Sequence, residues 1–106
     1  MDFERGDIMN VNKQKNGESI VFEVEGRVDT TTAPELEAEV KESIDGITDF
    51  TFDFAKVEYI SSAGLRVLLA TQKIMNKQGS MKVCNVSDEI NEIFEVTGFS
   101  DILNIV

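Results

Sequence analysis

Histidine is missing from this sequence altogether, and cysteine and proline each occur once. Without histidine there is no Ser-His-Asp or Cys-His hydrolase and no histidine general base. The single cysteine, Cys84, excludes an internal disulfide and, with no histidine beside it, leaves no usual zinc set. It lies in an apolar, strand-like run and reads as a buried small hydrophobe rather than a reactive thiol. Positive charge is scarce as well: ten basic residues against twenty acidic ones give a formal net charge of −10. That balance argues against nucleic acid held through its phosphates and against anionic membranes. No apolar run approaches membrane-spanning length, and the opening MDFERGD is acidic without an apolar core, so no signal peptide is expected. The expected location is the cytoplasm.

What is present is ordinary globular material. A chain of 106 residues, 42% hydrophobic and 28% charged, suffices for one domain with one core. Two extended runs, Ile8 to Gln14 and Ser19 to Glu25, flank Lys15-Asn16-Gly17-Glu18, and Asn-Gly between such runs is a strong hairpin signal. Ile20, Phe22 and Val24 alternate with Glu23 and Glu25, so half of the second strand is expected to be buried. Gly26-Arg27-Val28-Asp29 and the threonines Thr30, Thr31 and Thr32 then read as a polar elbow. Thr32-Ala33-Pro34-Glu35 fits a capping box with Thr32 as N-cap. Leu36, Val40 and Ile44 recur at helical spacing, with Glu35, Glu37, Glu39 and Glu42 outward.

Asp45-Gly46 ends that helix, and Phe50, Phe52 and Phe54 alternate in the next strand. This strand delivers the chain to a seam of Ser61, Ser62, Ala63 and Gly64, where a second helix begins. The first N–H groups of a helix have no internal partner and carry the positive end of its dipole. A serine there is either an N-cap or a place where a phosphate would be tolerated. The helix is expected to bury Gly64, Val67, Leu68, Thr71, Ile74 and Met75, with Arg66, Lys73 and Lys77 opposite. Leu65 and Leu69 fall on a shoulder beside the serines, covered either by a loop or by a partner. Met81 to Val86 reads as a strand, and Ser87 caps a third helix that buries Ile90, Ile93 and Phe94 and stops at Gly98. Phe99, Ile102, Leu103, Ile105 and Val106 are apolar enough to pack back as a short turn and edge strand. The fold class is therefore α/β, a single domain whose mixed sheet has an antiparallel hairpin followed by parallel strands. Strand-to-helix loops gather at the carboxyl ends of such strands, which predicts that the Asp29–Thr32 elbow and the Ser61–Gly64 seam share one surface.

Asp53-Phe-Ala-Lys-Val-Glu-Tyr-Ile-Ser-Ser-Ala-Gly-Leu65, with Gly26-Arg-Val-Asp29 upstream, resembles the STAS-domain family, in particular its free-standing anti-sigma-factor antagonists. The likeness runs from the first hairpin to Thr97-Gly98-Phe99. It implies a partner switch without a cofactor, in a bacterial regulator of transcription that is not itself an enzyme. In that family the unmodified antagonist binds an anti-sigma factor that is also an ATP-dependent serine kinase, and so frees the sigma factor. Phosphorylation releases the anti-sigma factor, and a metal-dependent serine phosphatase resets the cycle. The family's phosphoacceptor falls on Ser62, with Ser61 as the adjacent alternative, and its acidic elbow residue falls on Asp29. Ser61 stands where the family often has aspartate. The surface implied for the partner comprises Asp29, Thr30, Thr31, Thr32, Ser61, Ala63, Gly64, Leu65 and Leu69. Two other readings are an interaction module of the same fold that works without phosphorylation, and a small nucleotide-binding protein using the Asp29 and Ser62 loops. The second lacks a glycine-rich phosphate motif.

Overall fold

The computed structural model describes residues 9–106. The elements run β1 (Asn10–Asn16), β2 (Ser19–Val28), α1 (Ala33–Ser43), β3 (Asp49–Ile60), α2 (Ser62–Gln78), β4 (Ser80–Cys84) and α3 (Asp88–Thr97), closing with a 3₁₀ turn over Phe99–Asp101. The four strands lie in the order β1-β2-β3-β4, with β1 antiparallel to β2 and the remaining pairs parallel. This is the expected mixed sheet. Ile8, taken as the start of the first strand, lies outside the described residues.

The hairpin forms one residue later than its Asn-Gly signal suggests. Asn16 pairs with Ser19, so Gly17 and Glu18 make the two-residue turn. Gly17 has φ +65 and Glu18 does not, a pattern that favours glycine at the first turn position. Strand β2 also runs three residues further than expected, taking Gly26, Arg27 and Val28 into the sheet, so the elbow begins at Asp29. Strand β4 is shorter than Met81 to Val86: Asn85 adopts φ 57, a left-handed conformation that ends the ladder.

Alternation places Ile20, Phe22 and Val24 of β2, Phe50, Phe52 and Phe54 of β3, and Met81 and Val83 of β4 on one buried face. Leu36, Val40, Leu68, Met75, Ile90 and Phe94, from all three helices, join the same core. Five of its rings form a chain, Phe22, Phe50, Phe52, Phe54 and Phe94, with successive contacts of 4.9 to 6.4 Å between centroids. Truncating a ring so placed costs about 3–5 kcal/mol. The opposite face carries polar residues; there Asn12 and Gln14 donate to the Glu23 carboxylate at 3.0 and 3.2 Å. Cys84 pairs across from Asp53 on this face, half-buried rather than buried as expected, because the pleat turns Met81 and Val83 inward instead. Its partial burial and the Asp53 carboxylate both raise its thiol pKa.

Strand β3 gains one extra residue opposite Glu23–Glu25 and another opposite Gly26–Arg27. These bulges change its inward spacing, so that Phe54 is followed by Val57 and then Ile60. Val28 and Ile60 therefore end their strands side by side, both pointing into the core. The final segment packs back only in part: Phe99–Asp101 form the expected turn, Leu103 is buried, and Ile105 makes a single parallel bridge to Val83 in place of an edge strand, while Ile102 and Val106 are exposed because the chain turns them away from the core.

Candidate functional site

Two loops leave the sheet where Val28 and Ile60 end. In the first, Asp29 does what the sequence assigned to Thr32. Its Oδ1 accepts from the Thr31 and Thr32 N–H groups at 3.0 and 3.2 Å, and its carbonyl accepts from Ala33 N at 2.7 Å. The carboxylate thus caps the turn that leads into α1. Thr32 precedes α1 but makes no side-chain capping bond, so the expected capping box does not form. Its hydroxyl is drawn back to the strand instead, donating to Arg27 O at 2.8 Å and accepting from Asp29 N at 2.9 Å. The Thr32 N–H first, and then the Thr31 N–H, the Thr32 hydroxyl and the Arg27 guanidinium, hold the Asp29 carboxyl below the ordinary carboxylate range against the opposing effect of desolvation. Asp29 is accordingly ionised at neutral pH. Thr30 and Thr31 are exposed, while Thr32 is buried.

The second loop is the serine seam. Ser61 N donates to Val28 O at 2.8 Å, tying the end of β3 to the end of β2. Ser61 has extended backbone angles, as an N-cap residue should, yet its hydroxyl makes no capping bond. That Oγ is buried and has no hydrogen-bond partner among the described residues. Ser62, the first residue of α2, is exposed. The first turn of α2 holds no acidic residue, so no carboxylate of its own meets its free N–H groups.

Gly64 sets how closely this helix end approaches the sheet. A Cβ there would lie 2.7 Å from Val28 Cγ1, 2.7 Å from Ile60 Cγ1 and 3.1 Å from Val28 O. Only a hydrogen atom fits, and the first turn of α2 is seated directly on the two strand ends.

The loops do share a surface. A shallow groove lined by Thr30, Ala33, Pro34, Glu37, Ala63, Arg66 and Val67 runs between the starts of α1 and α2. Of the two shoulder leucines, Leu69 is half-buried but Leu65 is 4% exposed. Leu65 is therefore a core residue and not a free contact for a partner. The buried stripe of α2 is rotated towards Leu65 and Gln72 relative to expectation, which leaves Ile74 36% exposed on the far margin. Sequence reasoning passed over Arg27 and Tyr59. They are register partners on the strands preceding the two loops, with the guanidinium 4.6 Å from the ring centroid and Arg27 Nε 3.8 Å from Asp29 Oδ2. Their shared position two residues before Asp29 and Ser61 was the available signal.

The STAS domain family model matches residues 10–106 of this chain. The anti-sigma-B factor antagonist of Bacillus subtilis is 32% identical over 98 residues, covering 92% of this chain and 90% of that protein. Among solved structures, an anti-sigma factor antagonist from Mycobacterium paratuberculosis superposes with a TM-score of 0.86 at 24% identity, covering 94% of this chain and 86% of its own. The anti-sigma factor antagonist SpoIIAA superposes at 16% identity in both an unphosphorylated and a phosphorylated form, with TM-scores of 0.73 and 0.72. These cover 92% of this chain in each case, and 87% and 91% of theirs. Among the described residues no helix is long and apolar enough to cross a membrane.

Proposed function

The chain belongs to the STAS domain family, and on that premise we propose that it is an anti-sigma-factor antagonist switched off by phosphorylation of Ser62. Its partner is an anti-sigma factor with serine kinase activity, and a serine phosphatase restores the binding form. The chain is the substrate of the kinase rather than an enzyme. The phosphoryl group of a nucleoside triphosphate passes to Ser62 Oγ: a new O–P bond forms, the bridging bond to the leaving diphosphate breaks, and the hydroxyl proton is released.

One observation carries the choice between the adjacent hydroxyls. Ser62 is exposed at the first position of α2, whereas the Ser61 Oγ is buried. A kinase must reach its acceptor in line, and only Ser62 offers that approach. Asp29, ionised and fixed by the Thr31 and Thr32 N–H groups, acts as a rigid element of the docking surface rather than as a base. Thr30, Thr31, Ala63 and Leu69 complete the surface around it, with Gly64 holding the seam against the strands.

A phosphate on Ser62 acts locally. In the complex it would be a dianion placed in a desolvated contact, a cost of several kcal/mol unless it is paired. Even about 3 kcal/mol weakens binding roughly a hundredfold. Calorimetry of the unmodified and the Ser62-phosphorylated chain against the anti-sigma factor tests the reading. Binding is expected to fall by two orders of magnitude or more on phosphorylation, while Ser62→Ala binds and resists the kinase. Equal affinities for the two forms would overturn it.

A further inference from the structure

One turn beyond Ser62, α2 carries a cation, Arg66. Arg66 follows Ser62 by four residues on α2, and residues so spaced are neighbours on a helix surface. Helical side chains lean towards the N-terminus, so the long Arg66 side chain has the reach to cover the turn that Ser62 begins. Both residues are exposed. Among the described residues Arg66 has no carboxylate within ion-pair distance, whereas Arg27, Lys13, Lys41 and Lys82 each do. Lys15, Lys56, Lys73 and Lys77 are likewise without one among the described residues, so what sets Arg66 apart is its place one helical turn from Ser62. Glu37 lines the same groove, but its carboxylate is engaged by Lys41 at 3.6 Å.

We propose that Arg66 is the counter-ion of a phosphate on Ser62, an inference that rests on Ser62 being the phosphoacceptor. The planar guanidinium fork matches two phosphate oxygens, and the spacing lets it reach them from the same helix. In the unmodified chain Arg66 is a cation free to meet an acidic group of the partner at the seam. Phosphorylation then changes two charges together, adding a dianion and withdrawing the arginine into an internal pair. Arg66 is in this sense a positioning residue for the switch, holding the phosphate over the start of α2.

The test uses the full chain with phosphoserine installed at position 62 by genetic encoding, so that no kinase is needed. A ³¹P NMR titration follows the second ionisation of the phosphate, ordinarily near pH 6. With Arg66 present this ionisation should fall roughly 0.3–0.7 pH units below that of Arg66→Gln, the size expected of an exposed ion pair. Arg66→Lys should titrate between the two, because an ammonium carries the charge without the fork. Added salt should move the wild-type curve towards that of Arg66→Gln. Coincident curves for wild type and Arg66→Gln at low salt would overturn the proposal. Absence of phosphate from Ser62 in the protein's own cells would instead overturn the reading of Ser62 as acceptor, an outcome that the titration does not share.

Discussion

Helices α2 and α3 both begin after a serine with extended backbone angles, Ser61 at φ −98, ψ 178 and Ser87 at φ −70, ψ 164. The two serines then do opposite things. Ser87 Oγ accepts from Ile90 N at 3.2 Å, and Asp88 and Glu89 follow in the first turn, so the start of α3 is capped and its dipole is met. The Ser61 Oγ is buried without a partner among the described residues, no acid follows it in the first turn, and the next serine stands exposed there. One helix uses its serine as a cap; the other begins with neither a side-chain cap nor an acid in its first turn. Two serines with similar backbone angles are thus told apart by where the hydroxyl goes.

The contrast can be broken most severely at Gly64. Gly64→Ala should push α2 off Val28 and Ile60 and cost roughly 1–3 kcal/mol in denaturant unfolding, since both contacts sit in packed core where little can give. A smaller effect sharpens it: Ser87→Ala should lose about 1 kcal/mol with its capping bond, while Ser61→Ala should be neutral or slightly stabilising, because it removes a buried orphan hydroxyl. Comparable losses from the two serines would erase the distinction. The smallest effect concerns the neighbouring loop. Because the Asp29 pKa is depressed on folding, its contribution to stability is present above the ordinary carboxylate pKa, near pH 4, and is lost as pH falls through the lower folded value. Asp29→Asn, which can still accept from Thr31 and Thr32, should flatten that acid limb in pH-dependent unfolding and leave stability at pH 7 little changed.

The mixed sheet, the succession of elements along the chain and the three helices were readable in the sequence because alternation and helical spacing agree with the burial they produce, as at Phe50, Phe52 and Phe54 or at Ile90 and Phe94. The Ser87 cap and the Gly98 stop, with φ 83, also followed from local chemistry alone. Three features depended on tertiary partners. Thr32 looked like a cap until the Arg27 carbonyl took its hydroxyl, Leu65 looked like a shoulder residue awaiting a loop or a partner until the stripe of α2 proved rotated, and Cys84 looked buried until its register with Asp53 turned it to the open face. At the seam, the serines and the small residues beside them were legible. The burial that separates Ser61 from Ser62 was not, because it arises from two bulges in β3 and a hydrogen bond to Val28, neither of which leaves a local sequence pattern.

In the proposed switch α2 presents Ser62, and not Ser61, to a kinase. Intact-mass analysis with site mapping of the chain from its own cells, before and after serine phosphatase treatment, tests this most directly. One phosphate on Ser62, removed by the phosphatase and absent from Ser62→Ala, is the predicted result. Phosphate on Ser61, or none under any growth condition, would contradict it.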